Sequence, residues 1–269
     1  MKLIGKQDKR LVMEKIDKAI ECFKAQDWDG AIDIFTAILE EDTANAEVYN
    51  NLGLCYANVG NDEKAEKNYL RCIELNSRIP QCYINLVDIY YKQKRYEEGI
   101  NLLSYAIECL PDDLIFRHYL ARFYMEDAKR DLAIDELEYI LEKQPDNYDA
   151  YYDLGRIYFD LGNYDSAIEN FENIIEYKED NAWIYYYLGE AYQANDEIDK
   201  ALSNFLKAIA RNNKLAVAYK KAGILYLARK DYNDAIEYFE DYISMDIPQE
   251  EKDSVQKLID RVKKQADEA

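Results

Sequence analysis

One pattern of residues returns every 34 positions from about residue 12 to about residue 247, in seven copies without insertion or deletion. A small residue recurs at Ala31, Ala65, Gly99, Ala133, Ala167, Ala201 and Ala235. An aromatic column runs through Tyr56, Tyr90, Tyr124, Tyr158, Tyr192 and Tyr226, with Cys22 in the first copy. Four residues after the small position stands a large apolar one: Phe35, Tyr69, Leu103, Leu137, Phe171, Phe205 and Phe239. An aliphatic column follows at Leu39, Ile73, Ile107, Leu141, Ile175, Ile209 and Ile243. A fixed period of this length marks a solenoid, in which no unit buries its own apolar face and each needs its neighbours. The chain is therefore expected to be a stack.

Repeats beginning at residues 12, 46, 80, 114, 148, 182 and 216 each hold two amphipathic stretches separated by a short break. In the clearest copy, Tyr151, Leu154, Gly155 and Tyr158 keep helical spacing, Gly162-Asn163-Tyr164 interrupts, and a second stretch runs from Ser166 to Tyr177. Such spacing on both sides of a Gly/Asn/Asp-rich break reads as an antiparallel helix pair. The second helices open with Asp29, Glu63, Glu97, Asp131, Asp165, Asp199 or Asn233. In six of the seven this places a carboxylate at the positive end of a helix dipole. Small residues in the first helices, at Ala19, Gly53, Val87, Ala121, Gly155, Gly189 and Gly223, permit close helix approach, and the large column fills the space between.

These residues resemble the tetratricopeptide repeat, a unit of 34 residues with an aromatic, a Leu-Gly pair, a Tyr, then Ala, Phe, Ala and Pro at set positions. The second copy supplies Tyr49, Leu52-Gly53, Tyr56, Ala65 and Tyr69; the fifth supplies Tyr151, Leu154-Gly155, Tyr158, Ala167 and Phe171. Departures are local: Val87 and Gly99 in the third copy, Arg117 in place of the aromatic in the fourth, and a closing Pro only at Pro111 and Pro145. The resemblance implies an all-α fold, a right-handed α-solenoid or superhelix of antiparallel helix pairs. Residues 1–269 would form a single domain with repeats at about 12–45, 46–79, 80–113, 114–147, 148–181, 182–215 and 216–249. A capping helix at about 249–266 is expected after Pro248, with Val255, Leu258, Ile259 and Val262 as its apolar stripe. At the other end Lys15 and Lys18 replace residues that are mostly Tyr and Leu elsewhere, as suits an N-terminal edge.

The formal net charge of −20 repels phosphate backbones and anionic membranes, and Lys220-Lys221 and Lys263-Lys264 read as isolated pairs, so no nucleic-acid partner is expected. Acidity by itself accounts for solubility of a long exposed stack, and a basic partner is the weaker reading of it. The N-terminus lacks the apolar segment of a signal peptide and no run of 18 apolar residues occurs, so no membrane insertion is expected. The five cysteines are odd in number and irregular in spacing, and Cys22, Cys55 and Cys72 fall in columns apolar elsewhere. Free buried thiols in a reducing, cytoplasmic compartment are expected, in preference to disulfides or a metal site.

Catalysis finds no support. His118 is the only histidine and has no Cys or Ser at a spacing that marks a nucleophile. The chain shows no phosphate loop, His-Glu-x-x-His, paired-Cys zinc spacing or calcium loop. Glu40-Glu41-Asp42 and Asp146-Asn147-Tyr148-Asp149 read as caps and solvated turns rather than calcium ligands. A non-enzymatic protein with no cofactor and no metal is expected.

The resemblance implies that the first helix of each pair lines a concave groove. Mapped onto this chain, the groove presents Gln81, Asn85, Asp88 and Tyr91; then His118, Tyr119, Arg122 and Met125; then Tyr152, Asp153, Arg156 and Phe159; then Trp183, Tyr186, Tyr187 and Glu190. Aromatics with Arg and amides compose binding hot spots. Tyr91, Tyr152, Tyr186, Asn51 and Asn85 also belong to the family's general pattern, whereas Arg122 and Arg156 occupy the same position in adjacent repeats and are more specific. The carboxylate clamp by which one subclass of these repeats holds chaperone tails is incomplete. Its positions hold Ile16, Ile20, Asn51, Asp88 and Lys92, or Asn50, Leu54, Asn85, Arg122 and Glu126 one repeat later. The expected function is an adaptor that binds a peptide segment in the groove of repeats three to six. Asn51 and Asn85 would bond its backbone, and Arg122 and Arg156 would meet acidic groups. The alternative is a scaffold, a homo-oligomer formed through the stripe Met13, Ile16, Ile20 and Phe23, unless Leu3-Ile4 covers it.

Overall fold

The computed structural model describes residues 6–177 and 181–267, with side chains described for 12–175 and 181–267. Among them the helices are α1 (Lys6–Lys24), α2 (Trp28–Glu41), α3 (Ala46–Asn58), α4 (Asp62–Leu75), α5 (Pro80–Lys92), α6 (Tyr96–Cys109), α7 (Ile115–Glu126) and α8 (Arg130–Lys143). They continue as α9 (Tyr148–Asp160), α10 (Tyr164–Tyr177), α11 (Ala182–Ala194), α12 (Ile198–Arg211), α13 (Ala216–Ala228), α14 (Tyr232–Ser244) and α15 (Gln249–Asp267). The chain divides into two compact units, residues 1–136 and 137–269, with the division inside α8. In the first, α1 packs on α2, α2 on α3 and so on to α7; in the second, α9 packs on α10 and the series continues to α15. No described helix is long and apolar enough to cross a membrane.

The break within each helix pair has one geometry. Gln26, Gly60, Lys94, Ala128, Gly162, Asp196 and Lys230, spaced 34 apart, all take φ between 57° and 77°. The next residue's N–H then reaches back to the carbonyl of the aromatic column, as in Asn61 to Tyr56 at 2.8 Å, Lys129 to Tyr124 at 2.8 Å and Glu197 to Tyr192 at 2.8 Å. This left-handed closure satisfies carbonyls that a helix end would otherwise leave orphaned. Only two of the seven positions are glycine, so five repeats hold a side chain in a conformation that costs an L-residue about 1 kcal/mol. Several first helices are capped by an asparagine: Asn45 accepts from Val48 N–H, Asn147 from Ala150 N–H and Asn181 from Trp183 N–H.

The core follows the columns. Phe35, Tyr69, Phe171, Phe205 and Phe239 are at most 1% exposed. Gly53, Gly155, Gly189 and Gly223 lie against the rings of Tyr69, Phe171, Phe205 and Phe239, close enough that a Cβ would stand 2.6–2.7 Å from each ring. Val87 faces the smaller Leu103 in the third repeat, both fully buried. Glycine thus meets the aromatic in four of the repeats, while the first sets Ala19 with Phe35. In α15, Val255, Ile259 and Val262 are buried against the last pair and Leu258 is half-buried. Lys220 Nζ pairs with Glu251 Oε1 at 2.5 Å and ties α15 to α13.

The expectation of free thiols is corrected at one pair. Cys72 in α4 and Cys82 in α5 are joined as a disulfide, with Cα atoms 6.3 Å apart. The reason lies in the repeat. Positions ten residues apart, from the last turn of one second helix to the first turn of the next helix, are buried in other copies: Ile38 with Val48, Ala106 with Phe116, Ile174 with Ile184, Ala208 with Ala218. Cysteine at both members of this pair brings two sulfurs together. Cys22, Cys55 and Cys109 are free thiols. With Cys72 and Cys82 bonded, the thiols no longer argue for a reducing compartment.

Candidate protein-binding face

In the first unit the groove-mapped residues on α3, α5 and α7 form a polar network. Gln81 Nε2 donates to Asn85 Oδ1 at 3.0 Å, and Asn85 Nδ2 donates to Asn50 Oδ1 at 3.1 Å. The buried amide that reaches Asn85 is therefore Asn50, which is 8% exposed, while Asn51 is half-buried beside it. Tyr91 OH donates to Glu126 Oε1 at 2.8 Å, and the Arg122 guanidinium lies 5.5 Å from the Tyr91 ring centre. Loss of water around Asp88 raises its carboxyl above the usual range, opposed by Lys92 and Arg122. Desolvation likewise raises the Tyr119 phenol, and nearby Asp88 adds to it. His118 is half-buried. This face holds an arginine already set against an aromatic ring and a carboxylate.

In the second unit the corresponding residues on α9 and α11 build an aromatic wall. Tyr187 is its centre. Its ring lies 5.4 Å from Tyr152, 5.9 Å from Phe171 in a stacked pair, 6.2 Å from Trp183 and 5.6 Å from Tyr186. Phe171 and Phe205 are core side chains, so Tyr187 and Tyr186 are anchored from behind. Burial pushes the phenols of Tyr152 and Tyr186 up to about 12, so both remain neutral donors at physiological pH. The Arg156 guanidinium stands 6.0 Å from the Tyr152 ring centre. Glu190 Oε1 is held by Lys221 Nζ of α13 at 2.7 Å. Trp183 leaves 46% of its surface exposed.

Two cavities open on either side of Tyr187. One, of about 250 Å³, is lined by Arg156, Phe159, Asp160, Phe171, Tyr186, Tyr187 and Glu190. The other, of about 420 Å³, is lined by Tyr148, Asp149, Tyr152, Ile174, Asn181, Trp183, Ile184 and Tyr187. Seven of the eight second-unit residues mapped from the sequence surround Tyr187 or these cavities; the eighth, Asp153, is half-buried on α9. The sequence pattern marked Tyr148 and Asp149 only as part of a capping turn and did not mark Asp160 and Asn181; all four lie at the helix ends rather than on the central stripe.

The self-association stripe is split. Met13 is 66% and Ile20 38% exposed, whereas Ile16 and Phe23 pack against the first-unit core and Phe23 meets Trp28 edge-on at 4.8 Å. Leu3-Ile4 lies outside the described residues. The sequence also held a charge feature that pairwise inspection missed. From Lys200 to Lys230 there are eight basic residues and no acidic one. Four of these are partnered in place: Lys200 with Glu197, Lys220 with Glu251, Lys221 with Glu190 and Arg229 with Asp199. Among the described residues no group of three or more His, Cys, Asp or Glu is arranged to hold a metal ion.

Models of the tetratricopeptide repeat match residues 46–78, 124–169 and 180–247, and a model described as TPR repeat matches 155–196. Among curated proteins, the Hsp70-Hsp90 organizing protein of Triticum aestivum is 26% identical over 106 residues, 39% of this chain and 18% of that protein. Neutrophil cytosol factor 2 of Bos taurus is 28% identical over 82 residues, 30% of this chain and 15% of that protein. The match thus spans under a fifth of either relative. Among solved structures, the C-terminal part of a TPR repeat-containing protein from Cytophaga hutchinsonii superposes with a TM-score of 0.74 at 17% identity, covering 89% of this chain and 98% of that one. A tetratricopeptide repeat protein from Parabacteroides merdae gives 0.65 at 19% identity, covering 92% and 98%. YrrB, described as a TPR protein with an unusual peptide-binding site, gives 0.55 at 22% identity, covering 73% and 97%. These likenesses show an all-α solenoid fold.

Proposed function

The chain belongs to the tetratricopeptide repeat family, and on that premise we propose that it is a non-enzymatic adaptor that binds a protein segment on the face made by its first helices. The observation that carries this reading is the wall of Tyr152, Trp183, Tyr186 and Tyr187 with a cavity on each side of Tyr187. Rings fixed by packing lose little entropy when they are covered, and a partner that fills two adjacent cavities buries much area for that small loss. An extended segment crossing Tyr187 would place one side chain in each. Arg156 offers a charge-assisted donor to a carboxylate in the smaller cavity.

The test compares proteins retained by the immobilised full chain with those retained by Trp183→Ala and by the outer-face control Ser203→Ala. A partner lost from Trp183→Ala and kept by Ser203→Ala supports the reading; a partner kept equally by both removes it. The self-association alternative has Met13 and Ile20 in its favour as exposed apolar side chains. Light scattering across a wide concentration range decides it: a mass that stays monomeric ends that alternative.

A further inference from the structure

We propose that the larger cavity, between the first turns of α9 and α11, receives a lysine or arginine side chain from a basic segment of the partner; this rests on the first-helix face being the binding face. Four aromatic residues, Tyr148, Tyr152, Trp183 and Tyr187, line it together with the carboxylate of Asp149, and among the described residues no lysine or arginine does. Aromatic faces attract a cation through their quadrupole, most strongly at tryptophan, and a carboxylate at the rim adds a direct charge partner. Asp149 is exposed, and among the described residues it forms no ion pair. An apolar occupant would fill the volume but would draw that carboxylate out of water without compensation.

The surrounding charge favours the same ligand. From Leu137 to Asp199 the chain carries sixteen acidic residues and three basic ones, Lys143, Arg156 and Lys178. The positive ends of α9 and α11 oppose this, but a side-chain cap engages one donor at each: Asn147 accepts from Ala150 N–H and Asn181 from Trp183 N–H. Asp149, in the first turn of α9, offsets the remaining dipole. The smaller cavity differs because it contains Arg156, a base of its own. It also holds the carboxylates of Asp160 and Glu190, the latter paired with Lys221, so it carries both signs, and the preference for a cation is assigned to the larger cavity alone.

The two tryptophans make the test direct. Trp28 lies in the first unit and Trp183 lines the cavity, so the indole N–H resonances of the full-length protein report on site and control together. The probes are a short peptide of alternating alanine and lysine and two matched peptides with norleucine or glutamate in place of lysine. The lysine peptide is expected to move the Trp183 resonance and leave Trp28 in place, and to bind about tenfold more tightly than either analogue, equivalent to about 1.4 kcal/mol. Asp149→Asn is expected to shrink the preference for lysine over norleucine at least threefold, a ratio that a purely structural role for Asp149 would not move. Trp183→Leu, which keeps the apolar volume, should abolish that preference. Equal binding of the norleucine peptide, preference for glutamate, or an unmoved Trp183 resonance at millimolar lysine peptide overturns the proposal. A Trp183 shift with norleucine or glutamate but not lysine leaves the binding face standing while removing the cation. A natural partner that binds Trp183→Ala as it binds wild type removes the binding face itself.

Discussion

Replacing Gly189 by alanine, valine or leucine perturbs a close helix contact in the second unit. An added Cβ would stand 2.6 Å from Phe205 Cε1, 2.7 Å from Cδ1 and 2.9 Å from Cζ. Carbon atoms settle at roughly 3.5–4.0 Å, so the ring must retreat by about 1 Å. Phe205 is fully buried and its ring lies 5.7 Å from that of Tyr186, which leaves little room to move. Overpacking of this kind costs about 1–3 kcal/mol, while alanine regains about 1 kcal/mol of helix propensity over glycine. The first repeat already seats Ala19 with Phe35, both buried, so a methyl can be accommodated after adjustment. Gly189→Ala should therefore lose about 1 kcal/mol net, and Gly189→Leu roughly 3 kcal/mol or more. The third repeat supplies a rescue: Val87 with Leu103. Gly189→Val combined with Phe205→Leu should recover at least half of the loss of Gly189→Val alone, a coupling expected of neighbours and absent between distant sites. Urea unfolding followed by circular dichroism measures each value. A more stable Gly189→Ala, or a Gly189→Leu within about 0.5 kcal/mol of wild type, would show that Gly189 does not face Phe205.

Ala128 holds φ at 57°, so Ala128→Gly should raise stability by up to about 1 kcal/mol in the same urea experiment, and no change or a loss would contradict the turn geometry. Thiol titration of the denatured, unreduced protein should find three free thiols, Cys22, Cys55 and Cys109, and five after reduction; Cys72→Ala, which removes the bridge, should cost about 3 kcal/mol of stability. Hydrogen bonds from Arg95, at 2.7 and 3.0 Å, and from Tyr90, at 3.0 Å, hold the Glu66 carboxyl below the usual glutamate range. Its contribution is thus present above the unfolded glutamate value near about 4.3 and fades as pH falls through the depressed folded value, so Glu66→Gln should flatten the acid limb of the stability profile and leave the neutral-to-alkaline limb unchanged. Arg156→Ala should weaken partner binding about tenfold, about 1.4 kcal/mol, with thermal stability nearly unchanged, because the guanidinium is exposed and lies over the Tyr152 ring.

The helix pairs were legible in the sequence because burial imposes a 34-residue rhythm on residue size: the glycines of α3, α9, α11 and α13 and the aromatics facing them appear as two columns. The seven left-handed turn residues were hidden, since Lys94, Ala128 and Lys230 give no local hint of positive φ; only their common place in the repeat reveals it. The Cys72–Cys82 bridge escaped a search by spacing along the whole chain, yet it lies on a pair of buried positions ten residues apart that recurs in other copies. On the candidate face, the resemblance supplied Tyr152, Arg156, Trp183, Tyr186 and Tyr187. It could not supply the division into two cavities, which depends on how the Tyr187 ring is wedged between Tyr152, Phe171 and Trp183. Asn50 and Asn51 are adjacent and identical in chemistry, so only the helix rotation tells which one reaches Asn85.

Site-specific photo-crosslinking tests the binding face most directly. A photoreactive phenylalanine analogue placed at residue 183 reports on the aromatic wall, and the same analogue at residue 203 reports on the exposed outer surface of α12. Irradiation of each full-length protein in its native extract, followed by peptide mapping of the adducts, should yield a discrete partner segment joined at residue 183 and none at residue 203. A partner joined at residue 203 and absent from residue 183 would contradict the account.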